Sequence, residues 1–199
     1  MSAQNPQLEY TPLSRDFGLA GDQALAQKVL DTPLGRLSLA ANQFGLSHLS
    51  FLPEEDDGFV ARPVSLITAS EQEQARAEAH LKQAEEELVA YFAGQLKAFS
   101  VALAPVGTAF QHQVWQALLT HPFGQAASYS DIANAIDNPK AVRAVGSANG
   151  ANRIAIIIPC HRIIGKGGAL TGYAYGLTIK QKLLTLEANI ASLESDLGR

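Results

Sequence analysis

"SYSDIANAIDNPKAVRAVGSANG", residues 128–150, holds two short helical patterns with only a few residues between them. Ser128 or Ser130 can cap the first, which ends near Ile136. The second starts with Asn138 as its cap and Pro139 at the first helical position, where the missing N–H costs nothing. Two helices joined so closely form a helix-turn-helix or an ordinary helical hairpin. The basic pair Lys140 and Arg143 on the second helix favours the former. The middle of that helix, Ala144-Val145-Gly146-Ser147-Ala148, is almost without side chain, whereas a major-groove reader projects Arg, Gln or Asn at bases. Small residues suit close approach to a tight groove, with Arg143 as the one long projection.

The charge pattern around this stretch agrees. The chain carries a formal net charge of −4, yet no acidic residue lies between Asp137 and Glu187. That span holds Lys140, Arg143, Arg153, Arg162, Lys166, Lys180 and Lys182, while the rest of the chain is acidic. A basic segment inside an acidic protein can draw a polyanion to one face.

Just downstream, "AIIIPCHRII" (residues 155–164) contains Cys160, the single cysteine of the chain. A free thiol with a pKa of ~8.5 is only slightly ionised at neutral pH, so a working nucleophile needs a base or a positive charge beside it. His161 and Arg162 have that chemistry. Residues 154–158 read as a strand ending in a turn after Pro159; adjacent strand residues point to opposite faces, so either that turn or a bridging water must connect Cys160 to His161. A base needs an orienting acid, and downstream the chain offers only Glu187, Glu194 and Asp196. Thr178 and Gln181 have capping-box spacing, which predicts a helix over "TIKQKLLTLE" whose end carries Glu187. The residues alone leave two readings open for Cys160, a reactive nucleophile and a buried structural thiol.

Upstream, Thr108 can cap a helix through Phe110, Val114, Trp115 and Leu118, with Trp115 in the core. A strand-like "AFSVALAP" precedes it, and a domain boundary is expected near Pro105, dividing residues 1–104 from 105–199. In "QKVLDTPLGRLSLAANQFGLSHLSFLP", Leu37/Leu39 and Leu49/Phe51 alternate as strands do, punctuated by Pro33-Leu34-Gly35 and Asn42-Gln43. A small antiparallel sheet follows. "DDGFVARPVSLITA" reads as a connecting loop. Ser70 with Glu73 has capping-box spacing, and Leu81, Ala84, Leu88, Tyr91 and Phe92 recur helically until Gly94. The charges of "EQEQARAEAHLKQAEEE" form that helix's solvated face. The first ~25 residues are polar and aperiodic, and are expected to be loosely held. The fold class expected is α/β (α+β), an N-terminal sheet plus helix followed by a mainly helical unit.

At 199 residues with 47 % hydrophobic content, the chain is expected to be an ordinary globular protein. Its longest aliphatic run, Ile154 to Ile158, is far short of the ~20 residues a membrane span needs. A soluble, unexported, cytoplasmic protein with no membrane partner is the expectation. One cysteine excludes an internal disulfide and a CxxC motif. His48, His80, His112 and His121 are scattered, and neither a metal nor another cofactor is expected.

"RAVGSANGANRIAIIIPCHRII", "GALTGYAYG" and "KQKLLTLE" together resemble the signature of the O6-alkylguanine-DNA alkyltransferases, the methylated-DNA–protein-cysteine methyltransferases. The resemblance is dense from about Thr108 to Glu187, and the N-terminal pattern fits that family's ribonuclease-H-like domain. It adds an asparagine eight residues before Cys160 and a glutamate 27 residues after it. The resemblance implies direct DNA repair: irreversible, single-turnover transfer of an alkyl group, methyl above all, from O6 of guanine in double-stranded DNA to Cys160. Acceptance of alkylated O4 of thymine stays open. The base would be flipped out from the minor-groove side. His161 would act through a water as base, Glu187 would orient His161, and Asn152 would brace the turn presenting the thiol. Tyr129 matches a donor to guanine N3, and Arg143 matches the finger that fills the vacated space. With Arg143, the DNA-contacting set would be Ser130, Lys140, Ala144, Gly146, Ser147 and Ala148. Arg162, Ile163, Tyr173 and Ala174 would line the nucleotide pocket, the carbonyls of Cys160 and Ile163 accepting from the guanine amine. A monomer is expected, with cooperative binding along DNA left open.

One departure is plain. Where many bacterial members read GYRWG, this chain has Gly172-Tyr173-Ala174-Tyr175-Gly176, so only a backbone N–H remains at position 174. Two rival functions are a non-catalytic sensor of alkylated DNA, whose family lacks the cysteine, and a Cys–His hydrolase, which leaves the helix-turn-helix without purpose.

Overall fold

The structure, a computed structural model, describes residues 23–52 and 64–197, and side chains as far as residue 193. The N-terminal segment read as loosely held lies outside these residues up to position 22, as do the first eight residues of the expected connecting loop and the side chains of Glu194 and Asp196. The chain divides into two compact units, Met1–Gly107 and Thr108–Arg199.

In the first unit, β2 (Ala26–Thr32), β3 (Gly35–Asn42) and β4 (Gly45–Phe51) form an antiparallel sheet in that order. β1 (Gln23–Ala24) pairs in parallel with β5 (Ser65–Leu66). Local chemistry sets both hairpins. Thr32 Oγ1 accepts from Leu34 N at 3.2 Å, and Asn42 Oδ1 accepts from Phe44 N and Gly45 N at 2.9 and 3.2 Å. Helix α1 (Glu71–Phe92) starts at a complete Ser70/Glu73 capping box and buries Ala77, Leu81, Ala84, Leu88 and Tyr91. It packs across β2, β3 and β4, where Leu37, Leu39, Leu49 and Phe51 are buried.

The strand expected over "AFSVALAP" does not form. Only Leu103 pairs, through a single parallel bridge to Leu46. Glu87, on the face read as merely solvated, takes the N–H groups of Ser100 and Val101 at 2.9 and 3.1 Å and so diverts them from any ladder.

In the second unit, α2 (Ala109–Leu119) starts at a Thr108/Gln111 capping box and α3 (Tyr129–Ala135) at a Ser128/Asp131 one. Helix α4 (Val142–Gly150) follows α3, as the helix-turn-helix reading requires. Buried Trp115 donates its indole N–H to Ala148 O at 2.9 Å and ties α2 to α4. The short strands β6 (Ala127–Ser128) and β7 (Ile163–Ile164) pair in parallel and bring the start of α3 beside the segment that follows Cys160.

Three sequence expectations change here. Helix α4 starts three residues after Pro139 rather than on it. Asp137 adopts φ +54, Asn138 N donates back to Ala133 O at 2.9 Å, and Asn138–Ala141 closes its own turn, so Lys140 sits in the connection and not on the helix. Residues 154–158 form no strand but a buried turn, with Ile158 N donating to Ile154 O at 3.1 Å and Ile156 at φ +67. Helix α5 (Leu177–Leu197) begins before Thr178 and continues past Glu187, which therefore lies mid-helix. Its opening bond runs from Lys180 N to Gly176 O, and Gly176 supplies the left-handed φ of +85 that turns the chain into it.

Gly45 admits close backbone approach. A Cβ there would stand 2.5 Å from Ala102 O. Gly45→Ala is expected to cost about 1–3 kcal/mol and to lower the melting temperature by several degrees, whereas Gly150→Ala, which would meet nothing within 4 Å, should not. Thermal denaturation followed by circular dichroism checks both.

Candidate active site

The site is built on a turn whose composition alone would make a strand. Asn152 folds it. Its Oδ1 accepts from Ile154 N at 2.9 Å, and its Nδ2 donates to Ile158 O at 2.9 Å and Ile154 O at 3.2 Å. The same amide stands 3.0 Å from Cys160 Sγ. Ile156 is a β-branched residue in the left-handed region, a conformation that persists only where its surroundings impose it. One 3-10 turn, Cys160–Arg162, follows and ends with Ile163 N donating to Cys160 O.

Cys160 is 5 % exposed. Burial pushes its thiol up, while the Asn152 amide and the charge of Lys180 pull the other way without prevailing, so at rest the sulfur is a neutral thiol. His161, next on the turn, is fully buried and its Nε2 lies 2.9 Å from Glu187 Oε1. Glu187 also accepts from Arg162 Nε at 2.8 Å on Oε2, from Arg162 Nη2 at 3.1 Å on Oε1, and from Gly124 N at 3.3 Å on Oε2. Burial alone would raise the Glu187 carboxyl; the hydrogen bonds and charges of His161 and Arg162 overcome it and hold the group at about 2. Burial lowers His161, and the charges of Arg162 and Lys180 add to this against the opposing pull of Glu187. A neutral imidazole beside an ionised carboxylate must carry its proton on Nε2. That leaves Nδ1 with a free lone pair, and among the described residues this buried atom has no hydrogen-bond partner.

Arg162, expected to line a nucleotide pocket, is buried and turned to Glu187. Its Nη1 donates to His121 O at 2.9 Å and its guanidinium stands 5.4 Å from the Phe123 ring centre. The approach of α5 is possible because of Gly124, at φ +72: a Cβ there would lie 2.8 Å from Ala191 Cβ.

The remaining expected residues fall into two groups. The half-buried Tyr129 lies beside Gly146, where a Cβ would be 3.8 Å from its ring, and beside Gly172, where a Cβ would be 3.6 Å from its hydroxyl. On α4, Arg143, Ala144 and Ser147 are exposed at helical spacing on one face, with Ser147 Oγ donating to Arg143 O at 3.2 Å. Ala148 is buried under Trp115 and is not on that face. Lys140 is exposed in the turn before it, and Ser130 is half-buried at the start of α3. Tyr173 meets Tyr175 edge to face at 5.3 Å, and Ala174 between them is exposed.

Sequence reading missed two residues. Lys180 is fully buried and its ammonium donates to Thr171 O at 2.7 Å, Gly172 O at 3.5 Å and the carbonyl of buried Ile163. It pins the glycine-rich loop that carries Tyr173 to β7. Asn149 Nδ2 donates to Cys160 O at 3.4 Å. The signal for Lys180 was present, since Lys180, Leu183 and Glu187 recur on the buried stripe of α5, and charges at core positions of an amphipathic helix need partners.

Comparison with known proteins agrees along nearly the whole described chain. The family model for the 6-O-methylguanine DNA methyltransferase DNA binding domain matches residues 109–189, and that for the ribonuclease-like domain of the same proteins matches residues 25–105. A methylated-DNA–protein-cysteine methyltransferase of Methanosarcina acetivorans is 45 % identical over 161 residues, which are 81 % of this chain and 97 % of that protein. The constitutive methylated-DNA–protein-cysteine methyltransferase of Bacillus subtilis is 46 % identical over 158 residues, 79 % of this chain and 92 % of its own. The crystal structure of Mycobacterium tuberculosis OGT in complex with DNA matches with a TM-score of 0.68 at 42 % identity, covering 82 % of this chain and 93 % of that one. Two domains in this order, the second holding a cysteine–histidine–glutamate site beside a helix-turn-helix, define one class of protein. The chain belongs to the 6-O-methylguanine DNA methyltransferase family.

The buried network makes stability depend on acid. His161 is held below its ordinary 6.5, so the unfolded chain takes up that proton first and stability begins to fall as pH drops through 6.5. Glu187 is held at about 2 against an ordinary 4.5, so its contribution, present above 4.5, is lost between 4.5 and about 2. Glu187→Gln leaves the Arg162 guanidinium without its counter-charge, which is expected to cost about 3–5 kcal/mol at neutral pH and to flatten the lower part of the pH dependence. Urea unfolding across the pH range measures both effects.

Proposed function

We propose that this protein repairs alkylated DNA directly, moving the alkyl group from O6 of guanine to Cys160 once per molecule. The observation that carries this reading is the Asn152-held thiol of Cys160, placed in one compact unit with a neutral, open-faced imidazole and a helix-turn-helix. A thiol kept neutral by burial is a poor nucleophile, so a base must take its proton as the alkyl carbon arrives. His161 Nδ1 is that base, through a water that spans the gap to Sγ. The sulfur–carbon bond forms as the carbon–O6 bond breaks. The proton held by His161 neutralises the departing guanine, whose developing charge takes a hydrogen bond from the Tyr129 hydroxyl at N3.

Double-stranded DNA is the partner, met through the exposed Arg143, Ala144 and Ser147 of α4, with Lys140 in the preceding turn and Ser130 at the start of α3. A lesion at O6 lies inside the base stack, so the nucleotide must rotate out, at a cost of a few kcal/mol. Arg143 fills the space it leaves. Gly146 lies against Tyr129, where a Cβ would meet the ring at 3.8 Å. The Cys160 and Ile163 carbonyls select guanine through its exocyclic amine. The Ile163 carbonyl holds Lys180 Nζ and keeps a second lone pair, whereas the Cys160 carbonyl takes Ile163 N and, at 3.4 Å, Asn149 Nδ2, the long bond that the amine would displace. Tyr173 and Ala174 border the pocket on the loop that Lys180 pins.

Intact-mass spectrometry after mixing the protein with a short duplex bearing one O6-methylguanine should show a gain of one methylene, saturating at one equivalent and absent in Cys160→Ser. Lesion binding with no gain in mass would overturn the transfer and leave a sensor. Arg143→Ala should slow transfer from the duplex by roughly tenfold to a hundredfold, the weight of one good arginine contact, while reaction with a free O6-alkylguanine base keeps its rate. Equal losses on the two substrates would remove the finger role.

A further inference from the structure

Among the described residues that donate to Glu187, Arg162 does so through two bonds and His161 and Gly124 through one each. Arg162 grips the carboxylate side-on through Nε and Nη2, and a planar fork of this kind neutralises a carboxylate and fixes its orientation together. The imidazole of His161 is left with one lone pair of Oε1. Arg162 is itself anchored from a different element, by the His121 carbonyl and the face of Phe123.

A buried carboxylate whose single partner is a histidine draws a proton onto that histidine, because the pair is then neutral. Here Arg162 has already neutralised the carboxylate. The other charged group acting on His161 is the ammonium of Lys180, held by three carbonyls and no carboxylate among the described residues, and the adjoining Cys160 is a neutral thiol. His121, on the segment between α2 and β6, contributes its carbonyl to Arg162, and its own ring is held below the ordinary range by burial. A second proton on His161 would add an unbalanced charge to a buried site, and its Nδ1–H would find no acceptor among the described residues.

We propose that Arg162 is a positioning residue, which holds His161 as the neutral Nε2–H tautomer so that Nδ1 is the atom that takes the Cys160 proton. This rests on the alkyl-transfer reading above and deepens it. The arginine of the PCHR segment then serves the base rather than the nucleotide. Its charge sets how far the pH can fall before the base is lost.

Nitrogen-15 NMR of histidine-labelled protein, without DNA, reads tautomer and protonation directly, and the pH dependence of single-turnover methyl transfer from a duplex substrate reads the consequence. In the native protein His161 should show the Nε2–H tautomer and remain neutral below pH 6.5. In Arg162→Gln the imidazole should take up a proton at least about one pH unit higher, and the acidic limb of the rate profile should move up with it. Arg162→Lys, which restores charge without the fork, should return the limb towards its native position while leaving the plateau rate lowered. An Nδ1–H tautomer in the native protein, or an imidazole already protonated at neutral pH, overturns the assignment and needs no variant to be seen. So does an Arg162→Gln protein that is folded and shows the native titration and rate profile. A native protein with the Nε2–H tautomer that transfers no methyl group would sink the repair activity and leave the Arg162 assignment standing.

Discussion

The carboxylate of Glu187 is 1 % exposed, and the geometry of the thiol site hangs on it. A bare carboxylate in such a place is very costly, and this one is tolerated because, among the described residues, four donors converge on its two oxygens from two stretches of chain. Those stretches are the Cys160–Arg162 turn and the Gly124 turn between α2 and β6, and the carboxylate ties both to α5. Replacing such an arrangement with well-packed apolar groups is often neutral for stability, so its presence argues for a demand on register that packing does not meet. Here the demand is the angle of one imidazole.

Asn152 does for the thiol what Glu187 does for the imidazole. Five consecutive buried residues, Ile154 to Ile158, are folded into a turn by a single side-chain amide, which takes the N–H of Ile154 and the C=O groups of Ile154 and Ile158. The left-handed Ile156 is the cost of that choice, and conformations of this kind cluster where chemistry needs a side chain re-aimed. Cys160 thus reaches its neighbours from a turn, which resolves the difficulty that successive residues of a strand point to opposite faces. Polar side chains, more than the apolar core around them, decide where the sulfur sits.

Much of this was legible in the residues. Capping boxes at Ser70, Thr108 and Ser128 mark the helix starts, because a cap is a local matter between residues three apart. The hairpins of β2, β3 and β4 were equally local. The misreadings have one cause, competition from a partner distant in sequence or hidden in local turn chemistry. Glu87 took the amides of Ser100 and Val101 from a strand, and Asn152 took those of a second. Asp137 closed a turn where Pro139 looked ready to start a helix. Arg162 looked like a pocket residue because nothing in the sequence says that residue 187 returns to meet it; the fold alone supplies that distance. Lys180 was legible in principle, as a charge on an apolar stripe, and went unread because lysines on helices usually face water.

Burial of Cys160 also bears on the molecule while it waits. The species that soluble oxidants and small electrophiles attack is the thiolate, and this sulfur is held neutral and 5 % exposed. The chain has no second cysteine to trap a sulfenic acid as an internal disulfide, so rescue from a stray oxidation falls to an external thiol. A reagent consumed by its single use is best kept inert until the one molecule shaped for it arrives with a base close by. The same walls that make the thiol sluggish give it shelf life.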